Sequence, residues 1–348
     1  MKATVIDLFC GAGGLTHGFV KEKFKVVAGI DIDETCRYPY EKNNDAMFLH
    51  KSIEDVTSEE INDIFGNSSI KILVGCAPCQ PFSSYSKKRS KDEKWKLLYA
   101  FSKLIAQAKP DIVSMENVPQ LKTHKIFDHF VEKLENEGYA VSWYMVYCPD
   151  YGIPQTRKRL VLFASKFGRI ELIKKTHKPG EYKTVRDSIT KLEPIEDGEM
   201  SQRDPLHRSS PLSELNKKRI IATPQGGGWK DWDKNLMLKC HKKRTGKSFK
   251  NVYGRMIWDM PAPTITTQCI GLGHGRFGHP EQHRAISLRE AAMLQTFPKG
   301  YKFLDPESKF YVNKTARHIG NAVPVKLGQV IARSIKNHVR LIHGTERV

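Results

Sequence analysis

The sequence predicts an α/β protein built on a doubly wound, mostly parallel sheet, with a second, smaller, loop-rich region. Three observations carry this. Short apolar runs alternate with stretches of helical spacing through the first 165 residues. The first run ends in a glycine cluster that opens a helix. After residue 170 the alternation dissolves into Pro, Gly, Lys and short irregular pieces.

Taken in order, "ATVIDLF" (3–9) reads as a strand, followed by a helix to about Glu22. "FKVVAGI" (24–30) is a second strand, with a polar helical segment behind it. Further strands are "IKILVG" (70–75), "DIVSM" (111–115), "VSWYMVY" (141–147) and "RLVLFAS" (159–165). "LLYAFSKLIAQA" (97–108) and "IFDHFVEKLENEG" (126–138) place apolar residues at helical spacing, with Gly138 as a stop. "SLREAAMLQTF" (287–297) is a helix whose Ser287 and Glu290 form a capping box. "VKLGQVIARSIKNHV" (325–339) is an amphipathic terminal helix.

A chain of 348 residues holds one large domain or two ordinary ones, and 39% hydrophobic residues support a core. Net charge is +19, from 57 Lys+Arg against 38 Asp+Glu, which points to a polyanionic partner, most simply nucleic acid. Residues 166–260 hold 22 Lys/Arg and 12 Asp/Glu, so over half the excess sits there. The start, "MKATVIDLF", has no apolar h-region, and no run of 18 apolar residues occurs; a soluble, cytoplasmic protein is expected. Seven cysteines, at 10, 36, 76, 79, 148, 240 and 269, are too dispersed for a disulfide framework and fit a reducing compartment.

The loop "DLFCGAGGL" (7–15) departs from the dinucleotide fingerprint, because position 16 is Thr; its pattern is F-x-G-x-G-G. Asp31 ends the second strand 20 residues after Gly11, where an acid can bind a ribose diol. An adenosine-bearing ligand without a required pyrophosphate follows.

"LVGCAPCQPFS" (73–83) admits three readings. A zinc site needs a second ligand pair, and Cys240-His241 is merely adjacent. A redox pair is suggested by C-A-P-C itself. A single nucleophile is suggested by Cys79, which lies just past a strand's C-terminal end, while Cys76 continues the apolar strand as a buried structural residue. Glu116 emerges from "ENV" (116–118) at the same sheet edge. "QTRKRL" (155–160) presents Arg157 and Arg159 on one side at period two. A thiol, a carboxyl and two guanidiniums on one rim form a candidate active site.

On these motifs the chain resembles the DNA cytosine-C5 methyltransferases, which use S-adenosylmethionine. The resemblance runs through F-x-G-x-G-G at 9–14, P-C-Q at 78–80, E-N-V at 116–118, Q-x-R-x-R at 155–159, "RAISLREAAMLQTFP" at 284–298 and "GNAVPV" at 320–325. It implies a Rossmann-like methyltransferase sheet in a catalytic, cofactor-binding domain of residues 1–185 and 311–348. A target-recognition domain would span 186–310, with "PAPTITT" (261–267) near its close. It implies that Phe9, Gly11, Ala12, Gly13 and Gly14 wrap the cofactor and that Asp31 takes the ribose hydroxyls. Ile32, Ile53, Pro78 and Leu97 would form the adenine pocket, and Asn321 and Val323 would return to it from the C-terminal end. Ser52 stands where the family often has Asp.

The implied reaction is covalent. Cys79 attacks carbon 6 of cytosine, Glu116 serves N3, Arg159 holds the O2 edge, and Arg157 supports the thiolate and its loop. The base must leave the duplex to be reached, and "SSYSKKRSKDEKWK" (83–96) is placed to close over it. Base-reading candidates lie in "TPQGGGWKDW" (223–232) and around Arg244–Arg255. The C-F-T signature of the tRNA-directed relatives does not occur. The implied partner is double-stranded DNA, with the protein acting as a monomer, with no metal and no membrane, as a restriction-modification or orphan methylase.

Overall fold

A computed structural model describes residues 3–78, 91–243 and 249–344, the side chains of 91–94 and 343 excepted. The chain divides into two compact units. The first comprises Met1–Tyr147, Lys158–Thr176 and Val323–Val348; the second comprises Cys148–Arg157 and His177–Ala322. The expected recognition segment 186–310 lies inside the second unit, whose own limits also take in 148–157, 177–185 and 311–322.

The first unit opens with β1 (Ala3–Leu8), α1 (Gly14–Lys21), β2 (Lys25–Asp31), α2 (Arg37–Asn44), β3 (Met47–His50), α3 (Ser58–Phe65) and β4 (Ile70–Gly75). It continues with α4 (Lys91–Ala108), β5 (Ile112–Asn117), α5 (Lys125–Asn136), β6 (Ala140–Tyr147) and β7 (Lys158–Ser165). The seven strands form one sheet in the order β3-β2-β1-β4-β5-β7-β6. Strands β3 to β5 are parallel, and β7 runs antiparallel to both its neighbours. The sheet is therefore mixed, with a single reversed strand. The segment 148–157 between β6 and β7 is shorter than a parallel crossover needs, so the chain turns back on itself.

Burial explains why these residues make strands. β1, β4 and β5 are covered on both faces and read as continuous apolar runs, as parallel strands do. The edge strand β6 alternates, with Ser142 and Val146 inward and Trp143 and Met145 exposed. Helices α4 and α5 pack Phe101, Leu104 and Phe130 into a core with Leu73, Val113 and Leu162. β3 and α3 were not foreseen. "MFLH" is too short to show a period, and the α3 signal was the capping box of Thr57 and Glu60.

The second unit contains α6 (Val185–Ile189), α7 (Glu214–Ile221), α8 (Lys239–Lys242), α9 (Leu288–Leu294) and α10 (Val312–Asn321). Its described residues form isolated bridges, such as Gln155 with Ala262 and Arg255 with Gly278, rather than a sheet. Buried arginines supply the missing backbone partners. Arg255 is 3% exposed and donates to the carbonyls of Ile220, Thr223, His279 and Gln282. Burial draws its guanidinium down to about 10. Arg284 forks onto Glu290 with two 2.7 Å hydrogen bonds. Burial pushes the Glu290 carboxyl up, but the hydrogen bonds and charge of Arg284 outweigh it and hold it at about 2. The expected capping box of Ser287 and Glu290 is present at α9, so one carboxylate both caps a helix and neutralises a buried cation. Trp229, Trp232 and Tyr253 gather around His241, with the Trp229 and His241 rings stacked at 4.4 Å.

The final helix, α11 (Val325–His343), returns to the first unit and lies against α1. Their contact is backbone on backbone: a Cβ on Gly18 would sit 2.5 Å from the carbonyl carbon of Gly328. Glu22 then accepts from Gln329 at 2.7 Å and pairs with Arg333 at 2.9 Å. Gly18→Ala raises helix propensity by about 1 kcal/mol, yet must push the helices apart, which costs about 1–3 kcal/mol. We expect a lower urea midpoint for Gly18→Ala with an unchanged slope; a midpoint at or above wild type would show that the helices separate freely.

Candidate active site at the carboxyl edge of the sheet

The strand order reverses between β1 and β4, and an open α/β sheet offers its ligand crevice at the carboxyl ends beside such a point. Four predicted residues lie on the turn that follows β1. Phe9 has φ of 58°, a left-handed conformation that a bulky residue adopts only when its surroundings enforce it. Gly11 and Gly13 are left-handed too, and Gly13 caps α1, whose first residue is Gly14. Ala12 is buried beneath the turn. Gly11 N–H donates to Asp31 Oδ2 at 2.8 Å, and Asp33 N–H donates to Oδ1 at 2.9 Å. The acid is thus fixed in place by backbone donors.

Among the described residues, the space beside Gly11 that a Cβ would enter is open. Ile32 follows Asp31 with 71% of its surface exposed, unusual for a large aliphatic chain at a strand end. Ile53, by contrast, is buried in the core. Ser52 caps the turn Ile53–Asp55, accepting from Glu54 N–H at 3.4 Å. Leu97 is half-buried on α4 and Pro78 is exposed beyond β4. Val323 is buried in the first unit, whereas Asn321 is exposed at the end of α10 and belongs to the second. A fixed carboxylate, an exposed apolar chain and an open glycine turn suit a ribose with an attached flat base.

Under this turn lies a second carboxyl. Asp7 is fully buried and accepts from Thr16 Oγ1 at 2.6 Å, and Thr16 lies 3.1 Å from Tyr40 Oη. Burial raises the Asp7 carboxyl to about 7, against the hydrogen bond from Thr16 that lowers it. Burial, with Asp7 and Asp31 nearby, also pushes the Cys10 thiol far up, so Cys10 is inert as a nucleophile.

The rim continues at β4, β5 and β7. Because β7 is reversed, its amino end lies at the carboxyl ends of the parallel strands, and Arg159 reaches Glu116. Glu116 is 2% exposed; its Oε1 stands 2.8 Å from Arg159 Nε without an aligned hydrogen bond, and its Oε2 accepts from the Cys76 thiol at 2.9 Å. Cys76 is therefore a half-buried partner of the carboxylate, not the buried strand filler its apolar surroundings suggested. Asn117 Nδ2 donates to the Ala77 carbonyl at 3.0 Å, fastening the segment that leads into Pro78. Cys79 itself lies outside the described residues, as do positions 83–90 of the basic loop and Arg244.

Arg157 differs from expectation. β7 begins at Lys158, and Arg157 N–H bonds back to Gln155 O, so the period-two argument does not reach it. It belongs to the second unit, where it is buried and Nη1 donates to Ile265 O at 3.1 Å. Gln155 is structural as well: its amide donates to Leu294 O and Gln295 Oε1 and accepts from Ile265 N–H. Within the two base-reading segments, three side chains are turned inward. Trp229 and Trp232 are core residues, and Arg255 has its donors committed to carbonyls. Lys230, Lys234, Lys239, Lys242, Lys243 and Lys250 remain exposed.

Comparison with known proteins agrees with this geometry. The family model for C-5 cytosine-specific DNA methylase matches residues 3–337. The chain is 54% identical to the type II methylase M.HgiDII of Herpetosiphon aurantiacus, covering 100% of this chain and 99% of that one. It is 30% identical to the type II methyltransferase M.Sau96I of Staphylococcus aureus, over 96% and 76% of the two chains. In fold it is similar to a prophage-encoded putative DNA modification methyltransferase of E. coli, with a TM-score of 0.72 at 22% identity, covering 97% and 99%. It is also similar to the Dnmt2 methyltransferase of S. pombe, with a TM-score of 0.66 at 18% identity, covering 96% and 98%.

The buried Asp7 makes a pH prediction. Its folded pKa of about 7 exceeds the ordinary 3.8, so the proton is bound in the folded state and released in the unfolded one between those values. Its contribution is full below 3.8 and is lost as pH rises through about 7, at up to about 1.4 kcal/mol per pH unit. Asp7→Asn keeps an acceptor for Thr16 and removes the titration. Urea titrations from pH 4 to 8 should show a flatter stability profile for Asp7→Asn; a profile parallel to wild type would mean Asp7 stays ionised in the fold.

Proposed function

We propose, from the premise that this chain belongs to the C-5 cytosine-specific DNA methylase family, that it methylates carbon 5 of a cytosine flipped out of duplex DNA by covalent catalysis through Cys79. The observation that carries this reading is the buried Glu116 carboxyl at the carboxyl edge of β5, beside Arg159 and across from the segment that leads to Cys79.

The chemistry sets what each residue must do. Carbon 5 of cytosine is a weak nucleophile. Addition of the Cys79 thiolate to carbon 6 moves an electron pair toward carbon 5 and N3. Glu116 Oε1, which accepts no hydrogen bond, meets N3 and shares a proton with it, relieving that charge. Arg159 offers its remaining N–H groups to the O2 edge. Carbon 5 then forms its bond to the methyl carbon, and loss of the carbon-5 proton restores the ring and expels the thiolate. S-adenosylmethionine, when bound, supplies the methyl group on a cationic sulfur. Asp31 would hold its ribose diol and Ile32 would cover the adenine, with Phe9 and the turn from Gly11 to Gly14 around it. Arg157 would support the Cys79 thiolate and its loop.

The exposed lysines of the second unit would grip phosphates, the protein acting as a monomer on DNA in the cytoplasm. Similarity to type II methylases supports a role as the modification half of a restriction system.

Labelled S-adenosylmethionine with duplex DNA, tRNA or no acceptor tests the reading: label should enter DNA alone, at cytosine carbon 5. Cys79→Ser should abolish turnover while keeping cofactor binding. Glu116→Gln should slow single-turnover methylation by about 10²-fold or more, with DNA affinity little changed because phosphate contacts supply most of it. A near-normal rate for Glu116→Gln removes that residue from the mechanism.

A further inference from the structure

Cys76 lies three positions before the proposed nucleophile, and neither chelation nor a redox role accounts for where its thiol goes. Gly75 pairs with Met115 across β4 and β5, so the next residues on the two parallel strands, Cys76 and Glu116, are neighbours. Cys76 N–H donates to Leu8 O at 3.4 Å, and Asn117 ties Ala77 down from the other strand. The thiol is thereby fixed on the side of the Glu116 carboxylate, 2.9 Å from Oε2. A carboxylate buried to 2% needs donors to hold it. Of its two oxygens, Oε2 has the thiol, while Oε1 accepts no hydrogen bond and only faces Arg159.

We infer that Cys76 is a positioning residue for methyl transfer: its S–H holds Oε2 of Glu116, so that Oε1 is the atom offered to cytosine N3. This rests on the functional reading above. A thiol suits the task because it is compact and donates one hydrogen. Without it the Glu116 side chain would lose a charge-assisted hydrogen bond and could rotate, or turn both oxygens to Arg159. The loss should fall on the chemical step, because the atom Cys76 holds is a carboxylate oxygen of Glu116.

The test is a set of full-length variants assayed by single-turnover methylation of duplex DNA. Cys76→Ala and Cys76→Val both remove the donor, the first with a smaller side chain and the second with a larger one. Each should slow the chemical step by about tenfold, with KM for DNA and for S-adenosylmethionine unchanged and thermal midpoints near wild type. Cys76→Ser keeps a donor and should recover most of the rate. In a Glu116→Gln background, Cys76→Ala should add almost no further loss, because the pair acts as a unit. An unimpaired Cys76→Ala, a Cys76→Ser as slow as Cys76→Ala, or an undiminished loss in the Glu116→Gln background would each overturn the inference while wild type remains active. A wild-type protein that leaves cytosine unmethylated would overturn the functional reading itself, and this assignment with it.

Discussion

The reversal of a single strand governs the chemistry available to this fold. Six strands that run the same way bring only their carboxyl ends to the ligand edge. β7 runs the other way, between β5 and β6, and so delivers residues from its beginning to that same edge. Arg159 meets Glu116 for this reason. With β7 parallel, a guanidinium at its start would lie at the opposite edge of the sheet. The carboxylate would then be buried with no cation near it, a state that proteins avoid by leaving the group protonated. The short link from β6 to β7 imposes the reversal.

The first unit was largely legible in the sequence. Its central strands are continuous apolar runs, because both faces are covered, and its glycine turn announces itself by composition. The capping box at Ser287 and Glu290 was legible for the same local reason. β3 escaped because a four-residue strand has no measurable period, and α3 because its one local signal is the capping box of Thr57 and Glu60. At the site, Glu116, Arg159 and Asp31 could be placed from their strand ends alone. Cys76 was misjudged, since an apolar context suggests burial without saying what a polar atom at its end will face. The period-two argument does not reach Arg157, because spacing of two implies one face only within a strand, and the strand begins one residue later.

The second unit shows why basic composition is an imprecise guide to a polyanion. Part of the positive charge between β7 and α11 is structural. Arg255 and Arg284 satisfy carbonyls that have no sheet partner, and Arg289 pairs with Asp204 at 2.6 Å. Glycine-rich segments expose many backbone acceptors for few side chains, and a buried five-donor fork can serve several of them together. Two tryptophans that might have stacked on bases instead enclose His241. What the sequence could not reveal was which cations face inward, because that depends on contacts far apart along the chain.

The packing of α11 against α1 has a consequence for synthesis. The first unit is assembled from three stretches, and the last begins at Val323, after the second unit has been made. On the ribosome, the face of α1 around Gly18 must therefore wait while about 300 residues emerge, roughly 15–60 s at ordinary elongation rates. During that interval the sheet can form, but its terminal helix is missing and the apolar surface it covers stays exposed. Completion of the sheet unit is thus a late event, timed by the emergence of α11 rather than by the order in which strands appear.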